Sequence, residues 1–233
     1  MLDLAQSITS RLRDENSIFN HLEFNEIAIL EKNINLTRYK KNDYIYREGE
    51  IPEHMLYLKE GKVKLIKDGI CGREQIIRMI TPNGFIGYRA LIANEAYNAT
   101  AISIEDSVIV TIPPDILYNV LLRNYNFSLA LLRDLAIELG FSNHRSVSLT
   151  QKHIRGRLAE SLLLLREKCG FEHDNMTLRI YLSRIDLASL SNMTVSNAIR
   201  TLSAFAGEKV IAMDGKKIKI IDLEKLEKIS KYG

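Results

Sequence analysis

The segment Tyr181 to Leu202, YLSRIDLASLSNMTVSNAIRTL, decides how the rest of the chain is read. It opens on Ser183-Arg184-Ile185-Asp186, the S-x-x-D form in which a serine hydroxyl and an acid three residues on satisfy free backbone N–H groups at a helix start. A helix is therefore expected from Arg184. Leu187, Ala188 and Leu190 supply its buried face and Ser191-Asn192-Met193 make a three-residue turn. Thr194 then caps a second helix with Ala198, Leu202 and Phe205 facing inward. Two short helices joined by a tight turn form a helix-turn-helix.

In such a unit the second helix lies in the DNA major groove, and its outward N-terminal residues meet base edges. Here these are Val195, Ser196, Asn197 and Arg200, beside the cap Thr194. Arg200 can fork to a guanine or hold a phosphate, Asn197 can pair an adenine or a phosphate, and Val195 can touch a thymine methyl. An αα-corner used only for packing has the same spacing. The following residues favour DNA. Lys209–Met213 and Lys216–Ile221 flank Asp214-Gly215 as a hairpin with Lys216 and Lys217 at its tip, which makes a winged helix-turn-helix. Lysines on an exposed strand often only keep edges soluble, but beside a recognition helix they meet phosphates.

Charge points the same way. Residues 1–150 carry 17 Lys/Arg against 19 Asp/Glu, whereas residues 151–233 carry 15 against 10, so the basic part is the one with the helix-turn-helix.

Upstream the pattern changes. From Leu36, alternating β-rich runs follow one another: Tyr44–Tyr46, Met55–Leu58, Lys62–Ile66, Gln75–Ile80 and Thr100–Ile112, separated by glycine turns at Gly49, Gly61, Gly69 and Gly84. Many short strands with such turns predict a jelly-roll barrel or sandwich. Before it, Ile18, Phe19, Leu22, Phe24, Ile27, Ile29 and Leu30 make one helical stripe up to about Ile34. After Pro113-Pro114 the chain should be mostly helix, and Leu131, Leu135, Leu139, Ser142, Ser146 and Leu149 recur as a seam; a helix packed on its own barrel explains the leucines, and one paired across a two-fold axis explains them and the length as well. A helix from Leu158 to Lys168 follows and ends at Gly170, which can take a left-handed cap. The fold class is α+β.

Within the barrel region, GFIGYRALIANEAYNATAIS (Gly84–Ser103) has the form of an anion cradle: a glycine turn, a short helical run and a strand. It holds one cation, Arg89.

At 233 residues and 46% hydrophobic content the chain can bury a substantial core. Its longest apolar run is far short of the roughly 18 residues that span a bilayer, and MLDLAQSITSRLRDEN lacks a signal pattern, so a cytoplasmic protein without a membrane partner is expected. Two cysteines, Cys71 and Cys169, cannot supply a four-thiolate iron–sulfur or zinc site, and five histidines without HxH or HExxH spacing offer no metal site.

The signatures YIYREGEIPEHMLYLKEGKVKLIKDG, ITPNGFIGYRALI, IRGRLAESLLLL and SRIDLASLSNMTVSNAIRTLSAFAGEKVI together resemble the catabolite-activator and fumarate–nitrate-regulator (Crp/Fnr) family over nearly the whole chain. The resemblance implies a cyclic-nucleotide-binding-like β-roll over 1–125, a dimerisation helix over 126–151, and a winged helix-turn-helix over 152–233. It also implies a homodimer on a two-fold-related DNA site, with RNA polymerase as a partner if the protein activates, and no enzymatic activity.

Family members that bind cyclic AMP carry Gly-Glu and Arg-Ser pairs in the cradle. These positions fall at Gly87-Tyr88 and Asn98-Ala99 here, so the ribose-binding carboxylate and the phosphate-binding guanidinium are both missing. A buried phosphate without its cation costs about 3–5 kcal/mol by analogy with broken buried ion pairs, a hundredfold or more in affinity. This argues against cyclic AMP. Tyr88, Tyr97 and Asn98 suit a less charged or aromatic ligand, or fill the cradle themselves, and the adenine-facing positions fall on Ser142 and Asn143.

Some members bind haem, for which Cys71 or His54 would be the axial ligand; a turn cysteine and a surface histidine are the plainer reading. In the recognition helix many members show Arg-Glu where this chain has Val195-Ser196, while Arg200 matches a later family arginine and Arg184 a phosphate-contacting position. A cupin-type barrel enzyme is the rival class, and His54 standing alone in the β region speaks against it.

Overall fold

The computed structural model describes residues 12–13, 17–69 and 72–233. It divides into two compact units, one of residues up to Lys67 with Arg78–Gly140, the other of Asp68–Ile77 with Phe141–Gly233.

In the first unit the expected opening helix is broken. Ser17 caps a single 3-10 turn, Ile18–His21, and α1 (Phe24–Asn33) starts afresh from a capping box between Glu23 and Glu26. Phe19 and Leu30 are buried but Phe24 is 88% exposed, so the apolar residues read as one stripe belong to two pieces of chain.

Strands β1 (Asn35–Tyr39), β2 (Tyr44–Tyr46), β3 (Met55–Glu60), β4 (Val63–Asp68), β5 (Glu74–Ile80), β6 (Phe85–Ile86), β7 (Thr100–Ser103) and β8 (Ser107–Ile112) form two four-stranded sheets, β1-β8-β3-β6 and β2-β7-β4-β5. The run read as one strand from Thr100 to Ile112 is two, broken at Ile104-Glu105-Asp106. β1 has no sequence signature because it is an edge strand paired only to β8, with nearly all its side chains exposed and hence no apolar alternation. Between β6 and β7 lies the short helix α2 (Tyr88–Ala93), and after β8 come α3 (Pro114–Asn119) and the start of the long helix α4 (Tyr125–Gln151).

An aromatic cluster ties these together. Phe19 packs on Tyr57 at 4.8 Å, Phe85 at 6.2 Å and Phe127 at 6.1 Å between ring centroids, and Tyr57 donates a 2.6 Å hydrogen bond to Asn83 Oδ1. Edge-on and offset contacts of this kind add to plain area burial.

The seam expected on α4 divides between two faces. Leu131 is buried and Leu135 packs against the first unit's core, so those two leucines are spent at home. The outward row is instead Leu129, Leu132, Ala136 and Leu139, continued by Asn143 and Val147, all exposed, with Leu132 at 62% and Leu139 at 64%.

In the second unit, α5 (Ile154–Cys169) starts four residues earlier than expected, and Gly170 after it has φ 70° but ψ −164°, outside the left-handed helical region. Helix α6 (Arg184–Leu190) and helix α7 (Val195–Gly207) pack on α5, and the hairpin β9 (Ile211–Asp214) and β10 (Lys217–Ile220) precedes α8 (Leu223–Tyr232), which also packs on α5. Leu158, Leu162, Leu187, Ala198, Leu202, Phe205 and Leu226 fill the core.

The first residues of β5 are held in this unit by side chains. Ser189 Oγ on α6 accepts from the Ile76 amide (2.8 Å) and donates to the Glu74 carbonyl (2.9 Å). Arg145 on α4 donates to the carbonyls of Ile76 (2.7 Å) and Leu190 (2.8 Å). Burial draws the Arg145 pKa down from its ordinary value, against the opposing pull of the Glu160 carboxylate. Among the described residues no helix is long and apolar enough to cross a membrane.

Replacing Arg145 by alanine strands two buried carbonyls, at a cost of about 2–3 kcal/mol for hydrogen bonds to a charged group. Urea unfolding should show that loss, and hydrogen exchange should show the Ile76 amide opening faster; an unchanged midpoint would contradict the assignment.

Candidate nucleic-acid interface and ligand cradle

The helix-turn-helix is built as its sequence dictates. Ser183 Oγ accepts from the Asp186 amide at 3.0 Å and Asp186 reaches back to the Ser183 amide, closing the capping box of α6. Thr194 Oγ1 accepts from the Asn197 amide at 3.3 Å and caps α7. Asn192 makes the turn at φ 49°, a left-handed value that asparagine tolerates better than most residues.

Ala198, Leu202 and Phe205 are fully buried, while Val195, Ser196, Ile199, Arg200 and Ser203 face outward and Asn197 is half-buried. The first turn of α7 carries no acidic residue, so the positive end of its backbone dipole is left unneutralised.

The wing differs by one residue from expectation. Asp214 pairs with Lys217, leaving Gly215-Lys216 as the loop, with Gly215 at φ 57°. Lys209 and Val210 lie before the strand, in the turn that closes α7. Lys216 and Lys217 are exposed at the tip, and Lys219 pairs with Asp174 at 3.3 Å. Three hydrogen bonds from Thr177 and Met176 hold the Asp174 carboxyl well below the usual carboxylate range.

Arg184 is half-buried rather than free: its Nη2 donates to the Gly215 carbonyl at 2.9 Å and to Met213 Sδ at 3.5 Å, so it holds the wing turn against the start of α6.

In the cradle, β6, α2 and β7 stand where the glycine turn, helical run and strand were expected. Gly87 sits at φ 67°, and a Cβ there would strike the Tyr97 ring and come within 3.0 Å of Tyr46. Those two rings are stacked, 3.5 Å apart and 8° from parallel. The register shift of β2 against β7 between Tyr44 and Tyr46 leaves Tyr44 outside and Tyr46 buried. Tyr88 is buried beside Phe85.

Arg89, read from the sequence as the cradle's cation, is not in it: it is exposed and paired to Glu95 at 2.8 Å. Asn98 is exposed, its carbonyl accepting from Lys67 at 2.9 Å, and Ala99 is buried. Ser142 and Asn143 are exposed on α4.

The cation missed from the sequence is Arg78. Half-buried on β5, it lies 5.8 Å from the Tyr88 ring centroid and pairs with Glu138 on α4, and burial lowers its pKa. Only strand alternation in QIIRMI could have turned it inward, and an arginine there reads as an outward residue. His54 is half-buried just before β3, and Cys71 lies outside the described residues.

A two-sheet roll with a tyrosine-filled cradle, followed by a winged helix-turn-helix with a basic tip, is the plan of a DNA-binding protein. The profile of the cyclic nucleotide-binding domain matches residues 36–124 and that of the Crp-like helix-turn-helix domain residues 156–229. The chain is 26% identical over 211 residues, 90% of its own length and 94% of the other's, to a CRP-like cAMP-activated global transcriptional regulator of Mycobacterium tuberculosis. In fold it resembles FixK2 from Bradyrhizobium japonicum (TM-score 0.75, 20% identity, covering 84% of this chain and 96% of that one). A CRP-family transcriptional regulator from Thermus thermophilus is similar too (TM-score 0.72, 21% identity, 84% and 97% covered). The chain belongs to the Crp/Fnr family of DNA-binding transcription regulators.

Burial, then the carboxylates of Glu50 and Glu53, push the Tyr97 hydroxyl up to about 12, and burial beside Tyr97 raises Tyr46 as well. Both folded values exceed the unfolded value of about 10, so the stabilisation is whole below pH 10 and drains away as pH climbs towards 12. Ultraviolet phenolate titration should show these tyrosines ionising last, and Tyr97→Phe should soften the alkaline loss of stability.

Proposed function

We propose that the chain acts as a homodimer that places the outward face of α7 in the major grooves of two-fold-related half-sites, and that its β-roll does not respond to cyclic AMP. In this reading residues 1–125 are the sensor, 126–151 the dimer helix and 152–233 the DNA-binding domain.

The observation that carries the DNA face is the start of α7: a capped helix end with no acidic residue, presenting Val195, Ser196 and Arg200 beside a wing whose tip lysines are exposed. Arg200 reads a base edge, Lys216 and Lys217 meet phosphates, and Arg184 sets the wing while meeting the backbone.

Dimerisation is supported by the outward row on α4. Leu129, Leu132, Ala136, Leu139 and Asn143 recur at alternating three- and four-residue steps, the spacing of a two-helix seam, and a second copy of α4 would cover leucines otherwise left in water. Asn143 then takes the polar seam position that fixes register.

Cyclic AMP is disfavoured by three placements. Tyr88 stands where cyclic-AMP binders carry a carboxylate, Arg89 is committed to Glu95, and the Tyr46–Tyr97 stack lies against Gly87. The Mycobacterium tuberculosis relative is described as cAMP-activated; the three placements argue against the same effector here.

Arg200→Ala should weaken binding to a selected site about five- to a hundredfold, with less effect on random DNA. Removing Lys216 and Lys217 should flatten the salt dependence by about 0.9 in log–log slope for each phosphate no longer neutralised, and Arg184→Ala should weaken all sequences alike. Unchanged retardation in all three would place the DNA face elsewhere. Leu132→Glu combined with Leu139→Glu should yield a monomer in sedimentation, and calorimetry with cyclic AMP should register no binding at micromolar ligand; a monomeric wild type, or micromolar affinity, would overturn the corresponding half of the reading.

A further inference from the structure

We propose that Ile199, together with Val195, reads thymine methyl groups, so that the DNA half-site is specified by methyl contact as well as by Arg200. The inference rests on the DNA face proposed above and adds a residue and a chemical class of contact to it.

Ile199 is 48% exposed on α7, one turn beyond the exposed Val195. Neither side chain belongs to the helix's inward face, which is Ala198, Thr201, Leu202 and Phe205. A β-branched residue on an exposed helical surface gives up rotamer freedom relative to alanine, lysine or glutamate, and Ile199 and Val195 still leave 48% and 37% of their surface in water. Two such residues four apart at the exposed start of one helix form a short apolar stripe.

The rest of the outward face makes that stripe informative. Ser196 and Ser203 each offer one hydroxyl, which serves bases of either kind, the half-buried Asn197 offers one amide, and Arg200 supplies the one guanidinium fork. Hydrogen bonds from this face therefore distinguish few base pairs. The thymine methyl is the apolar mark displayed in the major groove, and a branched aliphatic side chain is its natural contact.

Spacing agrees. Four residues of helix advance about 6 Å, and base pairs are stacked about 3.4 Å apart, so the two side chains reach thymines within two base-pair steps. Removing one buried methyl corresponds to about a fourfold change in affinity.

The test begins with duplexes selected by the wild-type protein from a random library. Each thymine of a selected half-site is then replaced in turn by deoxyuracil, which removes the methyl and leaves base pairing intact. Wild-type affinity should fall about fourfold at one or two positions per half-site. Ile199→Ala should bind thymine and uracil versions of one of these positions equally, Val195→Ala should do so at the other, and Arg200→Ala should keep the methyl preference while binding more weakly.

Both apolar side chains are exposed, and an unchanged circular dichroism spectrum would show that the variants are folded. Equal affinity of the wild type for thymine and uracil duplexes, or a methyl preference that survives in both alanine variants, would overturn the proposal and leave the DNA face standing. A library from which no duplex is selected would remove both.

Discussion

Two stacked tyrosine rings set against a glycine shape the cradle of the β-roll. Gly87 must lack a side chain because the Tyr97 ring occupies the space where a Cβ would stand, and its φ of 67° is one that other residues adopt only with strain. The stack in turn needs Tyr46 directed inward, which the irregular pairing of β2 with β7 permits. Turn, helix α2 and strand β7 keep the form of an anion cradle, but the stacked Tyr46 and Tyr97 lie against its glycine, a buried Tyr88 follows it, and Asn98 is exposed. The Arg78–Glu138 pair gives this region a cation that the chain itself already neutralises.

Elsewhere polar groups are satisfied by their neighbours in the second unit with little redundancy. Arg145 and Ser189 between them bond backbone groups of Glu74, Ile76 and Leu190. A cation drawn out of water is costly unless its donors are occupied, so this network fixes one arrangement of the β5 end against α6.

The helix-turn-helix is readable nearly residue by residue, because capping is a local chemistry: Ser183, Asp186 and Thr194 bond within three residues of themselves. Most strands are readable from alternation, whereas β1 is hidden because an edge strand with exposed side chains has nothing to alternate. The α4 seam misleads since leucines at three- and four-residue steps fall on two adjacent faces, and only packing shows that Leu131 and Leu135 turn to the core while Leu132 and Leu139 turn away. In the cradle, the missing charges are plain in the sequence. The Tyr46–Tyr97 stack and Arg78 are not, because they depend on which strand residues face one another across long stretches of chain.

Arg184 couples two parts of the DNA-binding unit. One nitrogen of its guanidinium grips the Gly215 carbonyl at the apex of the wing, and the residue stands at the first position of α6. Position in the wing and position at the front of the helix pair are thereby tied to a single planar group. Wing turn and helix start therefore share one anchor, and losing that guanidinium would release both at once.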